Sequence, residues 1–367
     1  MKLRIPEYIK EIAPYVPGKP IEALAREYGI TDTVKLASNE NPMGPSPKAL
    51  AALQHVMADL HRYPDEPPYV LTRRLAEKFQ VADNQVVLGN GSDELLEMLG
   101  RCLLQPGDEV IIPHPSFLMY TIVARSAGAV PVMVPLKHMT LDLDAMAASV
   151  TPRTRLIFVC NPNNPTGTVV SGPALAAFLA KVPEQVAVVV DEAYFEFVRD
   201  DTCRSGMTYL ADDPRVVTLR TFSKAYGLAG LRVGYGVMAA PLADMLHRVR
   251  MPFNVNAPAQ AAAVAALDDH EFLARTIANT HQGLDFLYAQ LNRRGLQAFP
   301  SQGNFFLIDL GRPADQVYEA MLRHGVIVRP MNGYGYPNTI RLTVGLPEEN
   351  QRFLIALDAV LAGESAS

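Results

Sequence analysis

The chain has 367 residues, 49% of them hydrophobic and 19% charged, with a net charge of -5. That length supports two domains with a sizeable core. The acidic balance argues against a nucleic-acid binder, which presents a basic face. Cys102, Cys160 and Cys203 are odd in number and far apart, so neither a disulfide framework nor a metal site is indicated. No run approaches the ~20 apolar residues that a bilayer span needs. The opening residues also lack the apolar segment of a secretory signal, so a cytoplasmic setting is expected.

Residues 1–41 are rich in Pro and Gly and read as an arm with little structure of its own, expected to contribute to the small domain or to a dimer. From residue 42 to 255, short apolar runs alternate with helical stretches. Val86-Val87-Leu88-Gly89 reads as a buried strand, Asp93 to Leu104 as a helix, and Glu109-Val110-Ile111-Ile112 as a second strand. Val132 to Val134, Leu156 to Cys160, Val186 to Val190 and Val216 to Leu219 continue the series, with a helix at Pro173 to Lys181. The runs are continuous rather than alternating, as in a parallel sheet covered on both faces. A large α/β domain is therefore expected, three layers with a mostly parallel sheet and right-handed crossovers. The pattern changes near residue 250. Met251 to Pro258 reads as a linker and Ala259 to Arg294 as a helical region. Strands follow at Phe305 to Asp309, Val326 to Arg329 and Ile340 to Val344, then a terminal helix at Glu348 to Leu361. Residues 256–367 are thus expected to form a smaller α+β domain.

One lysine stands out for its surroundings. Lys224 has Thr221 and Ser223 just before it, small residues after it, and Arg232 eight positions on. An amine beside hydroxyls and a guanidinium suits a lysine that condenses with an aldehyde next to a bound phosphate. Val188-Val189-Val190 delivers Asp191 at the end of an apolar strand, where α/β sheets place ligand groups, and Tyr194 follows. Asp191 reads either as a ligand to a cofactor nitrogen or as a helix cap. Asn164 sits in Asn161-Pro162-Asn163-Asn164-Pro165-Thr166-Gly167, where two X-Pro steps fix a turn after another strand. Gly89-Asn90-Gly91-Ser92-Asp93 joins a strand to a helix, and the main-chain N–H groups of Ser92 and Asp93 suit phosphate; a plain capped helix is the alternative. Phe117 can stack on a cofactor ring or pack in the core. Arg341, inside a strand, needs an anionic partner, and Arg329 lies on a neighbouring strand candidate. Two guanidinium forks projecting into one site suit a phosphate dianion; the alternative for each is a surface salt bridge.

Taken in order, these motifs resemble the class II aminotransferases of fold type I, and within them the histidinol-phosphate aminotransferases. Tyr15 to Pro20, Lys35 to Pro42, Arg62-Tyr63-Pro64-Asp65, the Asn-Asn-Pro-Thr-Gly run and Ser223 to Arg232 carry the resemblance. It implies a pyridoxal 5'-phosphate cofactor held by Lys224 as a Schiff base, with Asp191 on the pyridine nitrogen and Asn164 and Tyr194 on the phenolic oxygen. It implies that Ser92, Asp93, Thr221, Ser223 and Arg232 form the phosphate cup. Tyr63 is expected to reach the cofactor phosphate of a second copy, which makes the protein a homodimer with shared sites. Arg329 and Arg341 are expected to bind the phosphate of histidinol phosphate or the carboxylates of glutamate and 2-oxoglutarate, with Tyr15 closing over the substrate. The expected reaction is ping-pong transamination in histidine synthesis. Met331-Asn332-Gly333-Tyr334-Gly335-Tyr336-Pro337 is similar to relatives that accept aromatic amino acids, so a phenylalanine or tyrosine aminotransferase is an alternative. A decarboxylase of an amino-acid phosphate is another.

Overall fold

The computed structural model of the chain describes residues 3–14 and 18–363. In chain order the strands are β1 (Val34–Lys35), β2 (Val86–Gly89), β3 (Glu109–His114), β4 (Val130–Pro135), β5 (Thr154–Cys160), β6 (Ala187–Asp191), β7 (Val216–Thr221), β8 (Gly234–Val237), β9 (Gln297–Ala298), β10 (Phe305–Asp309), β11 (Val326–Ile327), β12 (Arg329–Met331) and β13 (Tyr336–Thr343). Seven of them form one sheet in the order β2-β8-β7-β6-β5-β3-β4. The pairs β4/β3, β3/β5, β5/β6 and β6/β7 are parallel. β8 alone runs against its neighbours β7 and β2. Val188, Val189 and Val190 have no exposed surface, because helices cover both faces of the sheet.

β8 is the strand that the apolar pattern does not announce. Gly234-Tyr235-Gly236-Val237 contains two glycines, and both are there for space. A Cβ on Gly234 meets the Ser92 nitrogen at 2.5 Å; one on Gly236 meets Met238 Cε at 2.9 Å and Leu219 Cδ2 at 3.0 Å. The glycines let the strand lie close to the start of the helix Ser92–Leu103.

A second sheet has the order β12-β13-β10-β9, antiparallel throughout. The helices His270–Arg293 and Pro347–Ala362 supply Leu284, Leu287, Phe353 and Leu357 to its core, against Phe306, Ile308, Ile340 and Leu342. The strand expected from Val326 to Arg329 is two short strands, β11 and β12, that separate at Val328.

Two expectations need refining. The opening segment joins the smaller part and carries more regular structure than its sequence suggests. It holds the helices Glu7–Lys10 and Ile21–Tyr28, and β1 pairs in parallel with β11. Val34 and Leu36 belong to the core of the second sheet, so partners far along the chain order a segment whose local propensity is weak. The helical region after residue 256 is also two helices. Ala257–Leu267 is capped by Asn256, and Asp269 caps the next helix by accepting from Phe272 at 3.3 Å, a contact worth ~1 kcal/mol. Ala259, Ala262, Ala263 and Ala266 pack with Val86, Leu88 and Phe222 under the large sheet. The chain therefore leaves the large-sheet core after Leu267 rather than at residue 255. Among the described residues no helix is long and apolar enough to cross a membrane.

Candidate functional site

The strand ends converge on one cavity of about 300 Å³. β2 leads into the helix Ser92–Leu103, β5 ends at Cys160, β6 at Asp191 and β7 at Thr221. In a parallel sheet this carboxyl edge is where ligand groups gather. Twelve of the residues singled out from sequence line the cavity: Ser92, Asp93, Phe117, Asn164, Asp191, Tyr194, Thr221, Ser223, Lys224, Arg232, Arg329 and Arg341. Tyr63 stands apart from it, 81% exposed and stacked on Phe253 with ring centroids 4.5 Å apart. Tyr15 lies outside the described residues.

Lys224 sits at the floor. Its Nζ donates to the Ser38 carbonyl at 3.3 Å and lies 5.7 Å from the Tyr194 ring centroid. Burial lowers its pKa to about 8, and the Arg341 charge adds to the shift. A neutral, nucleophilic amine is thereby available near neutral pH.

Asp191 lies in register with Cys160, at the end of a strand buried from Val188 onward. Its Oδ2 accepts from the Tyr120 hydroxyl at 2.8 Å and its Oδ1 from the Ala193 N–H at 3.2 Å. Burial pushes its carboxyl up to about 6, while those two donors pull it back. A cationic group brought against it restores the ionised form. The neighbouring Glu192 points the other way, as successive strand residues do. It accepts from Arg220 Nε at 3.0 Å and from Gly206 N–H at 2.6 Å, which leaves Asp191 as the acid of the pair that faces the cavity.

At one end the cavity is built for an anion. The helix Ser92–Leu103 points its free N–H groups inward. Arg232 reaches Asp93 Oδ2 at 3.3 Å, and its guanidinium lies so close over Gly91 that a Cβ there meets Nη2 at 2.7 Å. The Thr221 hydroxyl accepts the Ser223 N–H at 3.1 Å, which fixes the turn that carries both hydroxyls. Asn164 and Tyr194 face each other between the two ends, with Asn164 Nδ2 3.5 Å from the Tyr194 oxygen. Burial raises the Tyr194 phenol well above its usual range, so it is a hydrogen-bond donor rather than a phenolate.

At the other end stand the arginines. Arg329 on β12 and Arg341 on β13 are direct register partners, and opposite residues of an antiparallel pair share one face. Arg341 is buried; it donates to Asn164 Oδ1 at 2.7 Å and to the Ala37 carbonyl at 2.8 Å. Buried guanidinium groups demand such acceptors.

This donor set fits a phosphorylated pyridine aldehyde. There is an amine to bind the aldehyde, a buried carboxylate for a protonated ring nitrogen, a helix start with an arginine for the phosphate, and Phe117 for the ring face. Motif reading missed four contributors. Ala37, Ser38 and Asn39 line the cavity from the opening segment, and Tyr120 holds Asp191 from behind. Asn39 belongs to the Lys35–Pro42 signature but had been assigned no role. Tyr120 stands three residues after Phe117, one helical turn away, with its ring edge-on to that of Phe117 at 5.6 Å. Of the two loop tyrosines, Tyr334 lines the cavity, whereas Tyr336 packs behind it with Leu307 and Met331.

Comparison with known proteins agrees with this chemistry. The family model for aminotransferase class I and II matches residues 31–357. The chain is 50% identical over 356 residues to histidinol-phosphate aminotransferase 2 of Pseudomonas aeruginosa, covering 96% of each chain. It is 48% identical over 364 residues to the histidinol-phosphate aminotransferase of Desulfotalea psychrophila, covering 98% of this chain and 96% of that one. Among solved structures, the histidinol-phosphate aminotransferase of Sinorhizobium meliloti in complex with pyridoxal-5'-phosphate superposes with a TM-score of 0.90 at 28% identity over 98% of both chains. The chain belongs to the class I and II aminotransferases, a family of pyridoxal-phosphate enzymes, and its near relatives there are histidinol-phosphate aminotransferases.

Proposed function

We propose that the protein transfers an amino group from glutamate to imidazole-acetol phosphate, yielding 2-oxoglutarate and histidinol phosphate for histidine synthesis. The observation that carries this reading is the register pairing of Arg329 with Arg341 at the open side of the Lys224 cavity. Two forks on one face suit a phosphate dianion in one half-reaction and the carboxylates of glutamate in the other. The similarity to histidinol-phosphate aminotransferases supports the same substrates.

When bound, pyridoxal phosphate supplies an electron sink for the carbanion at the substrate Cα. The chain supplies the rest. Ser92, Asp93, Thr221, Ser223 and Arg232 would hold the phosphate, Asp191 would pair with the pyridine nitrogen, Asn164 and Tyr194 would hold the phenolic oxygen, and Phe117 would cover the ring. Lys224 Nζ would take the proton from the substrate Cα and release it at the cofactor carbon on the other side of the nitrogen, which completes the transfer of the amino group. Arg341 and Arg329 orient the substrate, and closure of the second sheet over the first excludes water. The division of labour follows the two cores, with residues 1–41 contributing to the smaller part.

A homodimer is part of this reading. Met57, Leu60, Tyr63, Val70, Met251 and Phe253 are exposed apolar side chains on segments that touch through the Tyr63–Phe253 stack. Such a patch suits a second copy, with Tyr63 reaching the neighbour's phosphate. A cytoplasmic location fits a biosynthetic enzyme of this kind.

Tyr334 in the cavity wall favours one alternative, an aromatic amino acid aminotransferase. The test mixes holoenzyme separately with histidinol phosphate, phenylalanine and tyrosine and follows the absorbance of the bound cofactor. Much faster reaction with histidinol phosphate is expected; equal or faster reaction with the aromatic acids rejects the proposed substrate. Arg329→Ala is expected to raise KM for histidinol phosphate roughly 10- to 100-fold and to affect phenylalanine far less, because a charge-assisted bond to phosphate is lost. Equal losses in steady-state assays of the two substrates remove Arg329 from phosphate selection.

A further inference from the structure

Tyr194 has one hydroxyl proton, and the groups around it decide where that proton points. The chain of bonds starts at Thr343. Its hydroxyl oxygen accepts the backbone N–H of Asn39 at 2.9 Å and donates its own proton to Asn39 Oδ1 at 3.2 Å. With Oδ1 engaged there, the Asn39 amide turns Nδ2 the other way, where it donates to the Tyr194 oxygen at 3.0 Å. Asn164 is oriented by the same logic. Its Oδ1 accepts from Arg341, so its Nδ2 faces the same phenol. An amide NH₂ group gives protons and takes none. Tyr194 thus faces two donors, and among the described residues its own proton has no acceptor. That proton is left for a group in the cavity.

We propose that Asn39, locked by Thr343, is a positioning residue that makes Tyr194 a donor to the phenolic oxygen of the cofactor. The inference rests on the reading above, in which pyridoxal phosphate is held at Lys224 with that oxygen beside Tyr194. Asn39 suits the task. It is 1% exposed, and its φ of 55° lies in the left-handed region that Asn tolerates better than most residues. It also continues a series. The Ala37 carbonyl accepts from Arg341, the Ser38 carbonyl from Lys224, and the Asn39 amide donates to Tyr194. Three consecutive residues therefore touch the substrate-binding arginine, the lysine and the phenol. Thr343 lies two residues beyond Arg341 on the same face of β13, so one strand holds both ends of the series.

The effect has a definite sign. A donor on the phenolic oxygen draws charge from it and weakens its hold on the proton shared with the lysine-linked nitrogen. The pH at which the holoenzyme absorbance titrates is thereby lowered. In Asn39→Asp a carboxylate accepts the Tyr194 proton and adds negative charge, so the midpoint is expected to rise by about one unit or more. Asn39→Gly keeps the left-handed backbone and removes only the amide; a smaller rise is expected. Thr343→Val releases the amide and is expected to behave like Asn39→Gly, with Thr343→Ser restoring the wild-type midpoint.

The experiment is a spectrophotometric pH titration of the five holoenzymes, paired with cofactor rebinding to each apoprotein by fluorescence. The order Asp above Gly and Val, with Ser and wild type lowest, supports the proposal. Wild-type midpoints in the Asp and Gly variants overturn it, and the Gly variant keeps the test decisive even where the Val variant fails to fold. Failure of the underlying reading looks different: the wild type itself then forms no lysine-linked chromophore, and Lys224→Ala has the same spectrum.

Discussion

Lys224→Ala is expected to lower turnover by about 10,000-fold or more, since proton transfer by a positioned group and nucleophilic attachment are lost together. The loss should fall on kcat, with pyridoxal phosphate still bound. The groups proposed to hold the phosphate lie elsewhere, at the start of the helix Ser92–Leu103 and at Arg232, and among the described residues no hydrogen bond ties them to the lysine. Single-turnover kinetics of the variant loaded with cofactor checks both statements. A variant that turns over normally removes Lys224 from the chemistry. The wild type adds a pH signature. The free amine of Lys224 titrates at about 8 rather than at the usual 10.5 of a lysine. Attachment of the cofactor to the apoprotein should therefore accelerate as pH rises through about 8 and level off above it, because the neutral amine is the nucleophile.

Asp191→Asn is the second large effect. The amide has the shape of the carboxylate; with its oxygen on the Ala193 N–H, its NH₂ group donates to the Tyr120 oxygen, so the change removes the charge and reverses one hydrogen bond. In the wild type, burial holds the empty carboxyl near 6, and a protonated pyridine nitrogen against it stabilises the ionised form. The neutral amide cannot keep that nitrogen protonated, and the ring becomes a poorer electron sink. A fall in kcat of ~1000-fold is expected, the scale seen when one preorganised electrostatic partner is removed from a developing charge. Burst and steady-state rates with glutamate measure it. An Asn variant as active as the wild type means that Asp191 is a turn residue only.

The parts of the site that were legible in the sequence are those whose chemistry is local. Lys224 and Arg232 share one loop between β7 and β8, Asp191 ends an apolar run, and Asn164 sits among its own prolines. The large sheet was legible because its central strands are buried on both faces and so are continuously apolar, as Val188 to Val190 are. β8 was not, because close approach to Ser92 requires glycine where an apolar residue would have marked a strand. Asn39 escaped for a different reason. Its partners Tyr194 and Thr343 lie 155 and 304 residues away, and no spacing rule spans such a distance. Ala37 and Ser38 act through carbonyl oxygens, which every residue type has. The opening segment reads as unstructured for the same cause, since β1 finds its partner only at β11.

That pairing has a consequence for how the protein comes into being. A ribosome releases the large-sheet strands in nearly the order in which they pair, and domains tend to condense as they emerge. The opening segment, however, waits for strands made about 300 residues later. Val34 has no strand to join until Val326 is synthesised, and Asn39 has no hydroxyl to lock it until Thr343 appears. Contacts of such long sequence separation form slowly, because the loop they close is long. A nascent chain stalled after the helix Ala257–Leu267 can therefore own a folded large sheet with Lys224, Ser92 and Arg232 in place, while Arg329 and Arg341 are still unmade. Activity should appear late and abruptly during synthesis, once β13 has emerged.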